Sequence, residues 1–437
     1  MGKLVAVSCC VSAVLFACPT ASARVVPDQY VVVLKDGADS GVVAALHERL
    51  AGADVIHTYG HALDGYAARI SVSGLQRVLA DPRVDYVVPD REGSPFTAQT
   101  LPTGVDRAEA DLSSVAAGDG SGDVNADVAV YDTGIQVNHP DLNVAGGVNC
   151  LGEVNSTNDG TIGDQYGHGT HVAGIVAAKD DANGVVGVAP GARLWSVRVG
   201  NSAAISTTSG QLCGIDWITA NAPSLGIKVV NASTVLFGTA DDGNCGYTAN
   251  DPLHQAICNS TAAGVLWVFA AGNQVVDLDR ISGSGYDEVL AVTATADSNG
   301  QANPGSTQTF SCTTIGSRKA GAAETDDKYA SWSAYALSAA DQAHTVSAPG
   351  VCIYSTYKGS TYGKMSGTSM SAPHATGVAA LCFASGQCTG TPAEAIQKLH
   401  ADAEAWSLAD SGFGFTGDPL RPVTGRYYGY ELRAGQY

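Results

Sequence analysis

The sequence predicts an α/β fold, a mainly parallel sheet flanked by helices, with a small α+β unit ahead of it. Three observations lead there. The chain is 437 residues long, which suits one large domain plus a smaller one. From about residue 124, short and nearly continuous apolar strands alternate with helical stretches, the pattern of a sheet covered on both faces. Residues 28 to 92 carry a different, self-contained pattern of alternating strands and amphipathic helices.

In chain order, the first 23 residues combine Lys3, an apolar stretch from Leu4 to Ala17 and the small-residue ending Ala21-Ser22-Ala23. That composition reads as a secretory signal with a cleavage site. No later segment has some ~18 unbroken apolar residues, so no membrane anchor is expected and the product is secreted. The small unit follows, with strands predicted at Tyr30–Leu34, Tyr66–Ile70 and Val84–Pro89 and helices near Val42–Leu50 and Ser73–Ala80. Gly93-Ser94-Pro95-Phe96-Thr97 has linker chemistry, and a precursor would be cut between Arg91 and Ala98. The expected organisation is a signal over 1–23, a small domain over 24–97 and a catalytic domain over 98–437.

In the large unit, strands are predicted at Asp127–Tyr131, Ala192–Val199, Ile227–Asn231, Val265–Ala270 and Val289–Val292. Right-handed crossovers then place functional residues just beyond the strands' carboxyl ends. Net charge is −19, and from Ala98 onward 15 Lys and Arg face 32 Asp and Glu, a difference of −17. Nucleic acid and anionic membrane surfaces are thereby disfavoured as partners. Eight cysteines follow the signal, an even number that favours up to four disulfides in an exported chain. Cys382 and Cys388 are close enough to staple a helix end to the turn at Gly386.

Three segments carry candidate chemistry. Asp132-Thr133-Gly134 follows an apolar strand directly; a two-lobed aspartic protease would need a second such element, and none occurs. His168-Gly169-Thr170-His171 opens a small-residue helix. Metal binding by the two histidines lacks the zincin spacing and glutamate, so His171 reads as a hydrogen-bonded core histidine. Gly367-Thr368-Ser369-Met370-Ser371-Ala372-Pro373 opens another helix, where Ser369 gains free backbone N–H groups. Pro373 is expected in that helix's first turn, and a plain capping serine remains an alternative on this segment alone.

Together, Asp132, His168, Asn273 in Ala270-Ala271-Gly272-Asn273, and Ser369 resemble the motif blocks of the subtilisin-like serine proteases, the subtilases. Asp, His, Ser is the chain order known for subtilisin. The resemblance implies that Ser369 attacks the peptide carbonyl, His168 is base and then acid, and Asp132 holds the imidazole. Asn273 and the Ser369 N–H would bind the oxyanion, a donor whose removal typically costs about 10²–10³ in turnover. Gln29 to Asp90 is similar to the family's inhibitor-type propeptides, which implies an intramolecular inhibitor and autoprocessing; Tyr428–Leu432 resembles the family's terminal strand. No catalytic cofactor is implied. Gln99, Asp141 and Asp181 match places where subtilases hold a structural calcium, with the oxygen ligands that ion prefers.

The expected activity is a monomeric endopeptidase of broad specificity acting on proteins and peptides, with a selective processing protease as the alternative. Two departures bear on that choice. The cleft-wall strand Val230–Gly238 lacks the family's usual Ser-Leu-Gly-Gly, which puts the primary pocket in doubt, and the loop Gly200–Gly210 is small and polar. Ala296–Lys328 reads as a surface insertion pinned through Cys312. Asn155, Asn231 and Asn259 begin glycosylation sequons, Asn231 being the least suited.

Overall fold

The computed structural model describes residues 24–92, 99–152, 161–315 and 323–437. The expected signal, the cleavage segment, Asn155 and part of the 296–328 segment lie outside these residues. Two compact units result, divided between Thr97 and Ala98.

The first unit runs β1 (Arg24–Leu34), α1 (Ser40–Ala51), β2 (Asp54–Gly60), β3 (Asp64–Arg69), α2 (Val72–Leu79) and β4 (Val84–Glu92), with sheet order β2-β3-β1-β4. The pairings are antiparallel. Asp39 caps α1 by accepting from Val42 N, Ser71 caps α2 through Gly74 N, and Gly52 ends α1 in the left-handed region. Val32, Val43, Tyr66, Ala68 and Val78 form its core. Strand β2 was not foreseen, because most of its side chains are exposed or half-buried and its sequence lacks a periodic apolar face.

The second unit runs α3 (Thr103–Arg107), β5 (Asp127–Asp132), β6 (Val144–Asn149), α4 (His168–Ala177), β7 (Arg193–Arg198), α5 (Thr208–Leu225), β8 (Ile227–Ala232), α6 (Pro252–Ala262), β9 (Leu266–Ala270) and β10 (Leu290–Ala296). Then come β11 (Thr309–Phe310), β12 (Glu324–Thr325), β13 (Lys328–Tyr329), α7 (Ala339–Ala343), β14 (Thr345–Pro349), β15 (Ile353–Tyr357), β16 (Thr361–Met365), α8 (Thr368–Ala384), α9 (Pro392–Ala409) and β17 (Tyr430–Glu431). The main sheet has the order β17-β14-β10-β9-β8-β5-β7-β6, parallel along that path, with β13 antiparallel to β10. Strands β5, β9 and β10 are buried along their whole length, as continuous apolar runs require. One core cluster packs α4 and α8 against the sheet, and a second packs residues of α5 and α6 with Trp267 and Phe269. The predicted mainly parallel α/β architecture is therefore the observed one.

Four disulfides join Cys150–Cys213, Cys245–Cys258, Cys312–Cys352 and Cys382–Cys388, the last being the pair foreseen from spacing. The 296–328 segment is only partly superficial. Asp297, Asp326 and Asp327 at its base are buried, and Arg107 pairs with Asp327 Oδ1 at 3.0 Å and Glu431 Oε2 at 2.6 Å. Burial raises the Asp297 carboxyl to about 7 and that of Asp327 to about 6, against the opposing pull of Arg107.

Candidate active site

Asp132 is the last residue of β5, where the parallel sheet delivers it to the carboxyl edge. His168 is the first residue of α4, and its Nδ1 donates to Asp132 Oδ1 at 2.8 Å and Oδ2 at 2.9 Å. A carboxylate partner fixes the Nδ1–H tautomer and leaves Nε2 free to accept a proton. Burial disfavours the imidazolium, yet the Asp132 charge and hydrogen bond prevail and raise the His168 pKa above its ordinary value. His171, by contrast, is fully buried, bonds Gly363 O through Nε2 at 3.0 Å, and is pushed down to about 3 by burial. It is the core histidine expected.

A residue that the sequence reading missed organises this corner. Asp164 accepts from Thr133 Oγ1 (2.9 Å), Tyr166 N (2.9 Å), Gly167 N (2.7 Å), and both Thr170 N (2.8 Å) and Oγ1 (2.7 Å). It gathers donors at the start of α4, and its own signal was a lone acidic residue four positions before His168. Thr133 Oγ1 in turn accepts from Gly169 N at 3.0 Å. A Cβ at Gly169 would collide with the Gly134 carbonyl oxygen, so glycine lets α4 approach β5 this closely.

Ser369 is the second residue of α8, a helix buried from Met370 to Cys382. Its Oγ donates to the Ser233 carbonyl at 3.3 Å, while Ser233 Oγ donates to the Ser369 carbonyl at 2.8 Å. Pro373 corrects one expectation: it lies past the first turn, and its missing N–H would have bonded the Ser369 carbonyl, four residues earlier. Ser233 supplies that bond instead, which is why the helix tolerates the proline. Asn273 follows β9, and its Oδ1 accepts from Thr368 N at 2.9 Å and Thr368 Oγ1 at 3.2 Å. Thr368 Oγ1 also accepts from Gly272 N at 3.0 Å. With the amide oxygen so held, the Nδ2 end is the one left for a ligand.

Asp132, His168, Ser233 and Thr234 line one cavity of about 190 Å³ with Gly200 and Ser206. Its remaining walls are uncharged, Thr133, Val199 and Ala204 with the larger Tyr166. Ser206 Oγ is buried without a partner, a polar atom that the sequence gave no reason to single out. Beyond Thr234, Leu236 is buried and packs beside Gly283, while Val235 and Phe237 stay exposed. Asn231 is fully buried and bonds Ser233 and Thr376, which excludes a glycan there, whereas Asn259 is exposed on α6.

The expected calcium ligands gather elsewhere in the large unit. Gln99 Nε2 donates to Lys179 O at 2.7 Å and Val185 O at 3.2 Å, leaving Oε1 buried and unpartnered. Asp141 Oδ2 accepts from Val185 N at 3.0 Å, and burial, with Asp181 nearby, raises its carboxyl to about 6. The orphaned Gln99 oxygen and the Asp141 carboxyl are oxygen donors of the kind a hard cation takes, whereas Asp181 is exposed with its Oδ1 accepting from Asn183 N at 3.2 Å.

Comparison with known proteins agrees with this geometry. A Subtilase family model matches residues 124–415, and a Peptidase inhibitor I9 model matches residues 29–93. Subtilisin DY of Bacillus licheniformis is 35% identical over 292 residues, spanning 65% of this chain and 85% of that protein. M-protease of Shouchella clausii (strain KSM-K16) is 34% identical over 315 residues, spanning 72% and 68% respectively. The crystal structure of a cold adapted subtilisin-like serine proteinase covers 77% of this chain and 99% of its own, with TM-score 0.53 and 23% identity, a likeness of fold. A serine endopeptidase with an inhibitor I9 propeptide region, the chain belongs to the subtilase family.

Proposed function

We propose that this subtilase is a secreted, broad-specificity endopeptidase that matures by cutting its own chain between residues 24–97 and 98–437. The bidentate hydrogen bond from His168 to Asp132, in the cavity that Ser233 and Thr234 also line, carries the reading. Ser369 Oγ turns from Ser233 O toward His168 Nε2, gives it a proton and bonds the peptide carbonyl carbon. The carbonyl oxygen takes the negative charge, met by Asn273 Nδ2 and the Ser369 N–H. The protonated His168 then passes its proton to the leaving amine nitrogen as the C–N bond breaks. Water, deprotonated by His168, releases the acyl group by the same route. Asp132 keeps its proton-accepting tautomer in place throughout.

Apart from Tyr166, the walls around Asp132 and His168 are small and uncharged, which supports broad specificity. The narrower alternative is a selective processing protease, and cleavage of a random peptide library separates the two. In the proposed organisation residues 24–97 inhibit the monomeric enzyme until removed. Among the described residues no helix is long and apolar enough to cross a membrane. Ser369→Ala is expected to accumulate the uncut precursor and to lose labelling by an organophosphonate; normal maturation of that variant, alone in the preparation, overturns self-cleavage. Gln99, Asp141 and Asp181 would hold a structural calcium, which draws the loop 179–185 to the segment at Gln99 and takes no part in the reaction. Chelation is expected to lower the thermal midpoint, and Asp141→Asn to remove that sensitivity.

A further inference from the structure

A second cluster of ligand-type side chains lies away from both sites, where the segment after Asn273 meets α7 and β14. Asp287, Asp341 and His344 present one donor atom each, within 4.8 Å of one another. His344 is 3% exposed, and neither of its ring nitrogens has a hydrogen-bond partner. Its Nε2 faces Asp341 Oδ1 at 3.7 Å and Asp287 Oδ1 at 3.8 Å. Both distances are too long for hydrogen bonds. They are close to the spacing of two ligands on one tetrahedral ion, about 3.4 Å apart when each bond is about 2.1 Å.

The surroundings hold these groups in place. Ser338 Oγ donates to Asp341 Oδ2 at 2.8 Å, which turns Oδ1 to His344, and Asp287 N is anchored on Asp241 Oδ2 at 2.9 Å. Asp277 and Asp279 stand with Asp341 in a second group of three carboxylates, so four aspartates crowd one histidine, with Arg280 the cation acting on Asp277. Burial and mutual repulsion raise the carboxyls of Asp277, Asp279 and Asp287. A buried imidazole whose ring nitrogens make no hydrogen bond, facing two carboxylate oxygens beyond hydrogen-bond reach, is an arrangement that a cation between them would complete.

We propose that Asp287, Asp341 and His344 bind one divalent ion of the zinc class, with water as the fourth ligand. The nitrogen donor selects this class over calcium and magnesium, which take oxygen shells. Asp287, whose side chain is half-exposed, gives the ion its entry. Once bound, the ion ties the segment leading from Asn273 to the start of β14.

The test uses the full chain carrying Ser369→Ala, without an affinity tag, stripped with chelator and held in millimolar calcium. Calorimetric titration with Zn²⁺ is expected to show one equivalent bound, and Co²⁺ in its place to show the visible absorption of a tetrahedral site. His344→Gln should abolish both signals. Asp287→Asn should weaken zinc by at least about tenfold, the smaller loss typical even for a group one step removed from a metal. Should His344→Gln fail to fold, Asp287→Asn still decides, because its side chain is not part of the core. No zinc binding, displacement of zinc by the calcium present, or equal binding in a folded Asp287→Asn overturns the proposal.

Discussion

The two units of the chain bury apolar surface in different ways. The N-terminal sheet lays two helices on one face, and Tyr86 and Val88 of β4 remain 51% and 42% exposed. No cysteine lies between residues 24 and 97. The catalytic sheet is covered on both faces and closed by four disulfides. A unit of this size buries a smaller fraction of its surface than a large one and folds with little margin. The N-terminal unit is therefore the less stable part of the molecule, and the subtilase unit the more durable one.

That contrast breaks most readily at Cys150–Cys213. It spans 63 residues, and replacing both cysteines by alanine should cost the catalytic unit about 4 kcal/mol, against about 2 for Cys382–Cys388, which spans 6. Calorimetry of the Ser369→Ala chain measures both, and equal losses would refute loop length as the cause. Val32→Ala, at a site with no exposure between β3 and β4, should destabilise the N-terminal unit by about 2 kcal/mol. An added protease would then cut within residues 24–92 roughly 30-fold faster, with the catalytic unit unchanged.

The smallest effect is on pH. Because His168 titrates above its ordinary value, kcat/KM should fall on acidification through a midpoint above 6.5, and Asp132→Asn should move that midpoint down. Stability runs the other way. The pairing with Asp132 favours the protonated folded form, so its contribution is complete below about 6.5 and fades as pH rises through the raised pKa. A midpoint at or below 6.5 would detach the pH profile from the Asp132 pairing.

Much of this arrangement was legible in the sequence because the central strands must be apolar throughout. Strands β5, β7, β8, β9 and β10 announced themselves as nearly continuous apolar runs, broken only by residues such as Ser196, Arg198, Lys228 and Asn231. Edge strand β6 did not, since Val-Ala-Gly-Gly-Val-Asn is half-buried and glycine-rich, and in the β15–β16 hairpin Ser355 and Thr356 are polar yet buried while Thr361 and Lys364 are exposed, so no apolar alternation marks it. Asp132, His168, Asn273 and Ser369 stood out through their glycine-rich contexts. Ser233 and Thr368 did not, because they act by hydrogen bonds across 136 and 96 residues of separation, which no local pattern encodes, and Asp164 did not, because a single acidic residue in a loop carries no pattern of its own. His344 was silent because it meets Asp287 only in the fold, although Asp341 lies one helical turn before it.

Helix α8 has a further consequence for anyone altering this enzyme. It threads the interior with Ala375, Gly377, Val378 and Ala379 against the sheet, and a Cβ at Gly377 would strike Val188. A larger side chain there would shift the whole rod and carry Ser369 with it. Libraries that seek new substrate preferences have more room at Ala204, Ser206 and Thr234, whose side chains line the cavity beside His168 rather than the helix interior.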